Sequence, residues 1–148
     1  MVEGGDNVRA VKIYLSGSMM DSTWEEQSKW RQKVSDAINH QYEHDKKAVF
    51  FNPINYYNFE EKRHKSEREV MEFDLYNLRN SDVVIVNFNN EKSIGTAMEL
   101  MLAKENKIPV IAFGINGKEI HPWLLECCTR VCDNLREAVE YTVDFFLN

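Results

Sequence analysis

The stretch from residue 81 to residue 103 constrains the fold of this chain most strongly. It reads S-D-V-V-I-V-N-F-N-N-E-K-S-I-G-T-A-M-E-L-M-L-A. Val83 to Phe88 is apolar except for Asn87 and rich in β-branched residues, which is typical of a strand buried on both faces. A polar turn follows, and Ser93 is placed to cap a helix that begins at Ile94. The stretch therefore predicts a strand–helix unit at the centre of a layered α/β sheet.

The same alternation of strands and helices runs through the whole chain. Further strands are predicted at 11–15, 48–51, 108–113 and 129–132, and helices at 22–39, 67–80, 121–126 and from 133 or 134 to 146. Such alternation indicates βαβ units. We expect one α/β domain over residues 1–148: a doubly wound, flavodoxin- or Rossmann-like five-stranded parallel sheet with helices on both faces. Residues 1–10 are predicted to be a loose leader and 54–66 a surface loop.

Composition and charge exclude several classes of function. Hydrophobic residues make up 43% and charged residues 28%, as in ordinary soluble domains. The net charge of −6 gives no general attraction to nucleic acid. No segment approaches the roughly 20 apolar residues that cross a bilayer, and the first residues lack the apolar core of a signal peptide. We expect a cytoplasmic protein that binds neither nucleic acid nor membranes.

The cysteines favour reduced thiols in the core. They are odd in number and clustered, at positions 127, 128 and 132. This arrangement suits neither a disulfide framework nor zinc-finger spacing. We expect no metal and no cofactor.

Two acidic residues occupy positions where the helical periodicity predicts apolar residues. Glu99 points nearly opposite the charged pair Lys104 and Glu105 on its predicted helix. Asp74 falls within a predicted buried stripe formed by Val70, Met71, Leu75 and Leu78. Acids are seldom fully buried without a partner. One explanation is structural: Glu99 pairs with a basic residue or reaches solvent past a bent helix, and Asp74 bonds loop amides. The other is functional: both acids face a binding crevice.

In a parallel sheet, that crevice lies beyond the carboxyl ends of the strands. Three loops are expected at this edge: residues 16–21, 52–57 and 87–93. A carboxylate nucleophile with a second acid nearby is the arrangement that displaces a leaving group at an anomeric carbon, because a carboxylate stabilises the oxocarbenium-like centre. Core packing or contact with a planar base would each explain the aromatic and methionine side chains of the first two loops: Met19, Met20, Trp24, Tyr56, Tyr57 and Phe59. For Trp30 we favour core packing.

Several motifs resemble the nucleoside 2-deoxyribosyltransferase family. They are Tyr14-Leu-Ser-Gly-Ser18, Asn52-Pro53, Asp74-Leu75, Ser81-Asp-Val-Val-Ile-Val86 and Ser93-Ile-Gly-Thr-Ala-Met-Glu99. Two nucleotide-acting groups related to this family look similar too: the 2'-deoxynucleoside 5'-phosphate N-hydrolases and the CMP N-glycosidases. The resemblance extends from about Val11 to the final helix. It implies cleavage of the N-glycosidic bond of (2'-deoxy)ribonucleosides or their 5'-monophosphates, with the sugar passed to another base or to water.

The resemblance also implies roles for individual residues. Glu99 matches the nucleophile, which forms a covalent glycosyl intermediate. Asp74 matches the acid that positions the substrate or assists proton transfer to the departing base, and Tyr14 matches a tyrosine that orients the nucleophile. Substrate contacts are expected from Ser16, Gly17, Ser18, Met19, Asn52, Asn87, Ser93, Gly95 and His121.

Three positions bear on the substrate and on assembly. Ser93 stands where the transferases often have a base-reading aspartate and where the nucleotide hydrolases have a phosphate-binding serine. Met20 stands near the position where the mammalian-type N-hydrolases carry a phosphate-contacting arginine, and no arginine or lysine of this chain is clearly aimed at the crevice. His121 falls where family members present a residue to the neighbouring subunit. We therefore expect a homodimer or larger homo-oligomer with shared active sites, in which apolar residues on the outer side of the Glu99 helix are covered.

Two other functions remain open from the residues. A nucleotide-binding module without catalytic activity could use the same fold, although a sensor needs neither Asp74 nor Glu99. An NAD glycohydrolase of the TIR type also uses a glutamate, although the motif spacing fits it less well.

Overall fold

Five parallel strands form the sheet of the computed structural model, which describes residues 9–19, 23–56 and 64–148. The strands are β1 (Val11–Gly17), β2 (Ala48–Phe51), β3 (Val83–Asn87), β4 (Val110–Phe113) and β5 (Arg130–Val131). Their order is β2-β1-β3-β4-β5. In this order the chain winds in opposite directions from β1 and from β3, so the carboxyl ends of these two strands flank a natural crevice. The predicted doubly wound parallel sheet is confirmed.

Within the described residues, five helices connect or follow the strands. They are α1 (Trp24–His40), α2 (Glu67–Arg79), α3 (Ile94–Glu105), α4 (Pro122–Glu126) and α5 (Leu135–Thr142), and a π-helical turn (Val143–Leu147) continues α5. A 3₁₀ turn (Pro53–Tyr56) follows β2. Ser93 caps α3 as predicted, since its side chain accepts a hydrogen bond from the Thr96 N–H. The cap of α1 is Thr23, one residue later than the predicted Ser22, which lies outside the described residues.

Two apolar cores lie on the two faces of the sheet. Because side chains alternate along a strand, Ile13 and Leu15 point to one face and Tyr14 to the other. The first face is covered by α1 and α5, whose buried residues include Trp30, Val34, Ile38, Ala138 and Val139. The second face is covered by α2, α3 and α4, through Leu78, Leu100, Ala103, Leu124 and Leu125. The two helical layers fix α2 and α3 beside the carboxyl ends of β1 and β3.

Several details differ from the sequence prediction. The prediction of a buried apolar stripe along α2 is wrong in part, because Leu78 is fully buried while Met71 is 44% exposed. The end of α2 near Leu78 packs on the sheet, whereas its earlier turns border a cavity. Ile54, placed in a surface loop, is buried within the 3₁₀ turn. Strand β4 begins at Val110 rather than 108, because Pro109 has no N–H to donate to the ladder.

None of the helices in the described part of the chain is both long and apolar enough to span a bilayer.

Candidate active site

A cavity of about 620 Å³ opens where β1 and β3 end, within the range of small-molecule sites. The first loop, α2 and the start of α3 form its walls. One wall is apolar and consists of Pro53, Val70, Met71, Leu75, Ile94 and Met98. The polar part contains Glu99 and Asp74, with Ser18, Arg31, Lys92 and Ser93. The two acids singled out by the sequence therefore face the same space.

Two hydroxyl groups from β1 hold the carboxylate of Glu99. Ser16 Oγ donates a hydrogen bond of 2.8 Å to Oε1, and the Tyr14 hydroxyl donates to Oε2. Residues 14 and 16 lie on the same face of the strand because of its two-residue period. Burial raises the pKa of Glu99, while these two hydrogen bonds and the charge of Arg31 act to lower it. A carboxylate has about four lone-pair sites, so two bonds fix its direction and leave lone pairs for attack.

An aromatic stack supports Tyr14. Its ring is fully buried and stacks on Phe51, with ring centroids 5.2 Å apart. Phe51 in turn stacks on Tyr56, and Phe73 of α2 packs against both. Burial, followed by the negative charges of Glu99 and Asp74, raises the pKa of Tyr14 well above its usual value. Tyr14 therefore stays a hydrogen-bond donor throughout the physiological pH range.

Asp74 has a different environment from Glu99. It is buried on α2, and no group among the described residues donates a hydrogen bond to it. Burial and then the negative charge of Glu99 raise the pKa of Asp74 to about 7, and the charge of Arg31 opposes this shift. Environments that separate the pKa values of two acids assign them different tasks. Because the negative charge of Glu99 contributes to the raised pKa of Asp74, Asp74 keeps its proton up to near-neutral pH.

Arg31 is a basic residue of the site that the sequence analysis missed. It lies on α1, is 1% exposed, and is among the residues that line the cavity. The helical spacing could have predicted its burial, because Arg31 falls within the buried stripe formed by Gln27, Trp30, Val34 and Ile38. The expectation that no basic residue is aimed at the crevice is therefore wrong.

A profile described as "Nucleoside 2-deoxyribosyltransferase like" matches residues 10–114, well over half of the chain. The chain belongs to this family. The matched region runs from β1 to the end of β4 and contains Tyr14, Asp74 and Glu99.

Solved structures agree on the fold. The 2-deoxyribosyltransferase of Bacillus psychrosaccharolyticus is 20% identical, with 88% of this chain and 92% of that chain covered and a TM-score of 0.67. The enzyme of the same name from Leishmania mexicana is 17% identical, with coverage of 93% and 99% and a TM-score of 0.63. A conserved protein of Enterococcus faecalis is 15% identical, with coverage of 89% and 96% and a TM-score of 0.69. No curated protein matches the sequence significantly.

The other residues expected to bind substrate in this nucleoside 2-deoxyribosyltransferase-like chain fall into two groups. Gly17, Ser18, Met19, Ser93 and Gly95 line the cavity, and Ser16 contacts Glu99 behind it. Asn52, Asn87 and His121 do not line it in the described chain.

Each of these three residues has a local role. The Asn52 side chain accepts a hydrogen bond from the Ile54 N–H and starts the 3₁₀ turn. The Asn87 side chain lies against Gly114. His121 caps α4 by accepting from the Trp123 N–H, and its predicted contact with a neighbouring subunit stays a prediction.

The aromatic and methionine side chains of the first two loops have different surroundings. Met19 lines the cavity, whereas Trp24 is 46% exposed at the start of α1. Tyr56 joins the stack that supports Tyr14, and Trp30 packs in the core, edge-on to Phe113. Met20, Tyr57 and Phe59 lie outside the described residues.

Proposed function

We propose that this protein cleaves the N-glycosidic bond of (2'-deoxy)ribonucleosides or their 5'-monophosphates through a covalent glycosyl–Glu99 intermediate. The observation that carries the proposal is the carboxylate of Glu99, held by Tyr14 and Ser16 at a cavity that it shares with Asp74. The sugar then passes to another base, as in a deoxyribosyltransferase, or to water, as in an N-hydrolase.

The two acids would divide the reaction between them. Glu99 attacks the anomeric carbon, the C–N bond breaks, and its electron pair stays with the base. Asp74, protonated near neutral pH, gives its proton to the departing base. In the second half, Asp74 removes a proton from the incoming base or water, which attacks the anomeric carbon and releases Glu99.

The walls of the cavity fit the parts of such a substrate. The apolar wall, which includes Met71, Leu75 and Met98, offers contact to a planar base. The hydroxyls of Tyr14 and Ser16 bind only the nucleophile, so sugar contacts come from other lining groups. In this proposal the base lies toward α2 and α3, and the anomeric carbon lies at Glu99.

The test of the reaction is release of free base. The protein is incubated with deoxynucleosides, deoxynucleotides and NAD, with and without an acceptor base, and the products are separated by chromatography. A new nucleoside indicates transfer, and free sugar or sugar phosphate indicates hydrolysis. Release from NAD alone would instead favour a TIR-type glycohydrolase, and binding without release would favour a non-catalytic module.

The test of the nucleophile is Glu99→Gln, which keeps the shape of the side chain. We expect turnover to fall by several orders of magnitude, because the amide cannot form the glycosyl ester. Intact-mass spectrometry of the wild type with substrate should show a sugar-sized adduct that Glu99→Gln lacks. Turnover near that of the wild type in this variant would rule out Glu99 as the nucleophile.

The start of α3 favours 5'-monophosphates as substrates. Lys92 and Ser93 line the cavity there, where unpaired backbone N–H groups and the helix dipole attract an anion. Ser93 Oγ already has a structural task, since it accepts from the Thr96 N–H and donates to Thr96 Oγ1 at 2.9 Å. To bond a phosphate, the Ser93 hydroxyl would donate its one hydrogen to the phosphate instead of to Thr96 Oγ1, while Ser93 Oγ still accepts from the Thr96 N–H.

The variant Ser93→Ala tests the phosphate contact. We expect kcat/KM to fall more for a deoxynucleoside 5'-monophosphate than for the corresponding nucleoside, because only the former places an anion at the helix start. Thr23→Ala is the matched control, because Thr23 caps α1 in the same way and does not line the cavity. Equal loss for both substrates would leave Ser93 a helix cap, worth about 1 kcal/mol of stability.

A further inference from the structure

Arg31 is a buried cation with an unusual set of partners. Its guanidinium donates four hydrogen bonds, to Leu15 O at 3.3 Å, Gly17 O at 3.2 Å, Gln27 O at 3.1 Å and Gln27 Oε1 at 3.2 Å. All four acceptors are neutral carbonyl oxygens, and the guanidinium also lies 4.6 Å from the ring centroid of Trp30. Burying a charge is costly, so an arginine at this depth calls for a reason beyond packing.

Two of these hydrogen bonds fix the main chain around Ser16. The carbonyls of Leu15 and Gly17 are the acceptors on either side of it. Ser16 donates its hydroxyl to Glu99 at the point where β1 ends. A guanidinium that holds both neighbouring peptide groups therefore sets the direction of the Ser16 side chain, and through it the position of the Glu99 carboxylate.

The same network reaches the loop between β3 and α3. Gln27 Oε1 accepts from Arg31 and also from Asn89 Nδ2, the latter at 3.3 Å. Asn89 Oδ1 accepts from the backbone N–H of Ser18 at 3.1 Å. Arg31, Gln27 and Asn89 thus link the loop that follows β1 with the loop that leads into the Glu99 helix.

We propose that Arg31 is a positioning residue for the nucleophile, which holds the end of β1 around Ser16 and, through Gln27 and Asn89, joins the two loops that frame the cavity. The proposal rests on the proposed function of Glu99. Arg31 acts through Ser16 and through its charge, without entering the chemical step.

The charge of Arg31 reaches both acids. Among the described residues, the charged or titratable groups around them are Tyr14 on β1, Arg31 on α1, Glu67 and Asp74 on α2, Lys92 before α3, and Glu99 itself. Burial lowers the pKa of Arg31 to about 10, so it remains charged at neutral pH. Its charge lowers the pKa of Glu99 and of Asp74, against the effect of their burial.

The variants Arg31→Met and Arg31→Lys separate geometry from charge. We expect Arg31→Met to lower kcat by about 100-fold, because the nucleophile loses its alignment. Both limbs of the pH–rate profile should also move to higher pH, because loss of the positive charge favours the protonated acids. Arg31→Lys should leave both limbs at their wild-type pH but not restore kcat, since the single nitrogen of an ammonium group cannot reproduce the four hydrogen bonds that the three guanidinium nitrogens make.

Two further variants provide an independent check of the charge effect and a matched control. Gln27→Glu keeps the acceptor oxygen for Arg31 and Asn89 but adds a negative charge beside the guanidinium, so the limbs should again move to higher pH. If Arg31→Met does not fold, Arg31→Lys decides the question, because it keeps the charge and a wild-type kcat in that variant would contradict the positioning role. Arg136→Met is the matched control, because Arg136 is exposed on α5 and pairs with Glu140 away from the cavity. Its pH–rate profile should equal that of the wild type.

A second measurement needs no turnover. Carbon-13 NMR titration of the Asp and Glu carboxyls, without substrate, should show higher pKa values for Glu99 and Asp74 in Arg31→Met than in the wild type. A wild type that releases no base from any substrate would refute the proposed function while this titration still tests Arg31. A folded Arg31→Met that keeps the wild-type kcat and the wild-type carboxyl titration would overturn the proposal.

Discussion

Glu99 and Asp74 share one cavity but differ in what surrounds each carboxyl group. Glu99 receives two hydroxyl donors from β1, and Asp74 receives none from the described residues. Hydrogen bonds to the charged form favour ionisation, whereas burial without them favours the neutral acid. The ionised Glu99 then further disfavours a second negative charge on Asp74. The proposed division of roles between the two acids is therefore supported by the difference in their hydrogen bonds and not by which acid lies deeper.

This environment predicts the behaviour of Asp74→Asn. The pKa of Asp74 is raised to about 7 in the folded protein, above its usual value of 3.8. Between these two values the folded state binds the extra proton, so stability falls as pH rises through this range. The asparagine variant lacks this penalty. We expect it to be more stable than the wild type at pH 8, by roughly 1–3 kcal/mol, with a smaller difference at pH 4.

The activity of Asp74→Asn should fall although its stability rises. Asp74→Asn should turn over substrate at least about 100-fold more slowly, because the proton donor to the base is lost. In the wild type, kcat/KM should fall as pH rises through about 7, the pKa of Asp74. Unfolding curves at both pH values and a pH–rate profile provide the measurements. A less stable variant that keeps its rate would make Asp74 a structural acid.

At the level of the elements, the ends of β3 and β4 are packed so closely that glycine is required after β4. Gly114 has a φ of +87°, and a Cβ built there would lie 2.1 Å from Asn87 Oδ1. Such a contact is far inside van der Waals distance. The Asn87 side chain is thereby held against β4, which explains why it does not line the cavity.

The variant Gly114→Ala should therefore be strongly destabilising. We expect a loss of more than about 2 kcal/mol, since strain from the positive φ adds to the clash with Asn87. Gly117→Ala is the matched control, because Gly117 has a similar φ of +80° but open space around its Cβ position, and it should lose only about 1 kcal/mol. Urea unfolding measures both. Equal losses would show that the Asn87 contact relaxes without cost.

The elements were predictable because their signals are local. The strand at Val83 and the cap at Ser93 are visible in a few residues, and Asp74 and Glu99 interrupt a helical period. The hydrogen bonds to Glu99 are long-range contacts, because Ser16 and Tyr14 precede it in the chain by 83 and 85 positions. They therefore depend on how β1 and α3 pack. Arg31 was missed because an arginine in a polar helix is usually at the surface.

At the scale of the whole molecule, the three helices on one face of the sheet expose large apolar side chains. Their exposed fractions are 44% for Met71, 76% for Ile94, 47% for Met98, 49% for Met101 and 79% for Trp123. These residues come from α2, α3 and α4, and α3 packs against both of the other helices. A surface of this kind is more often covered than left in water. This apolar face also borders the cavity, because Met71, Ile94 and Met98 line it.

A second copy of the chain is the cover that we expect, because closed symmetric oligomers are the common solution. Light scattering of the wild type at micromolar concentration should give a dimer or a larger assembly. Met101→Lys should shift this assembly toward monomer, since Met101 lies on the apolar face but does not line the cavity. Phe145→Lys is the control, because Phe145 is 66% exposed on the turn that continues α5, outside the helices of this face, and the variant should assemble normally. A monomeric wild type would refute the interface.

Shared active sites would make the oligomer part of the reaction, and this can be tested apart from assembly. If His121 reaches a neighbour's cavity, His121→Ala and Glu99→Gln each damage a different part of the same composite site. Mixing and reassociating the two variants then creates dimers in which one site has both wild-type residues. Because half of the dimers are mixed and each has one intact site of two, activity should return to about one quarter of the wild-type value. Recovery from two inactive variants requires the shared site, whereas a mixture as inactive as its components, although assembled, would confine His121 to capping α4.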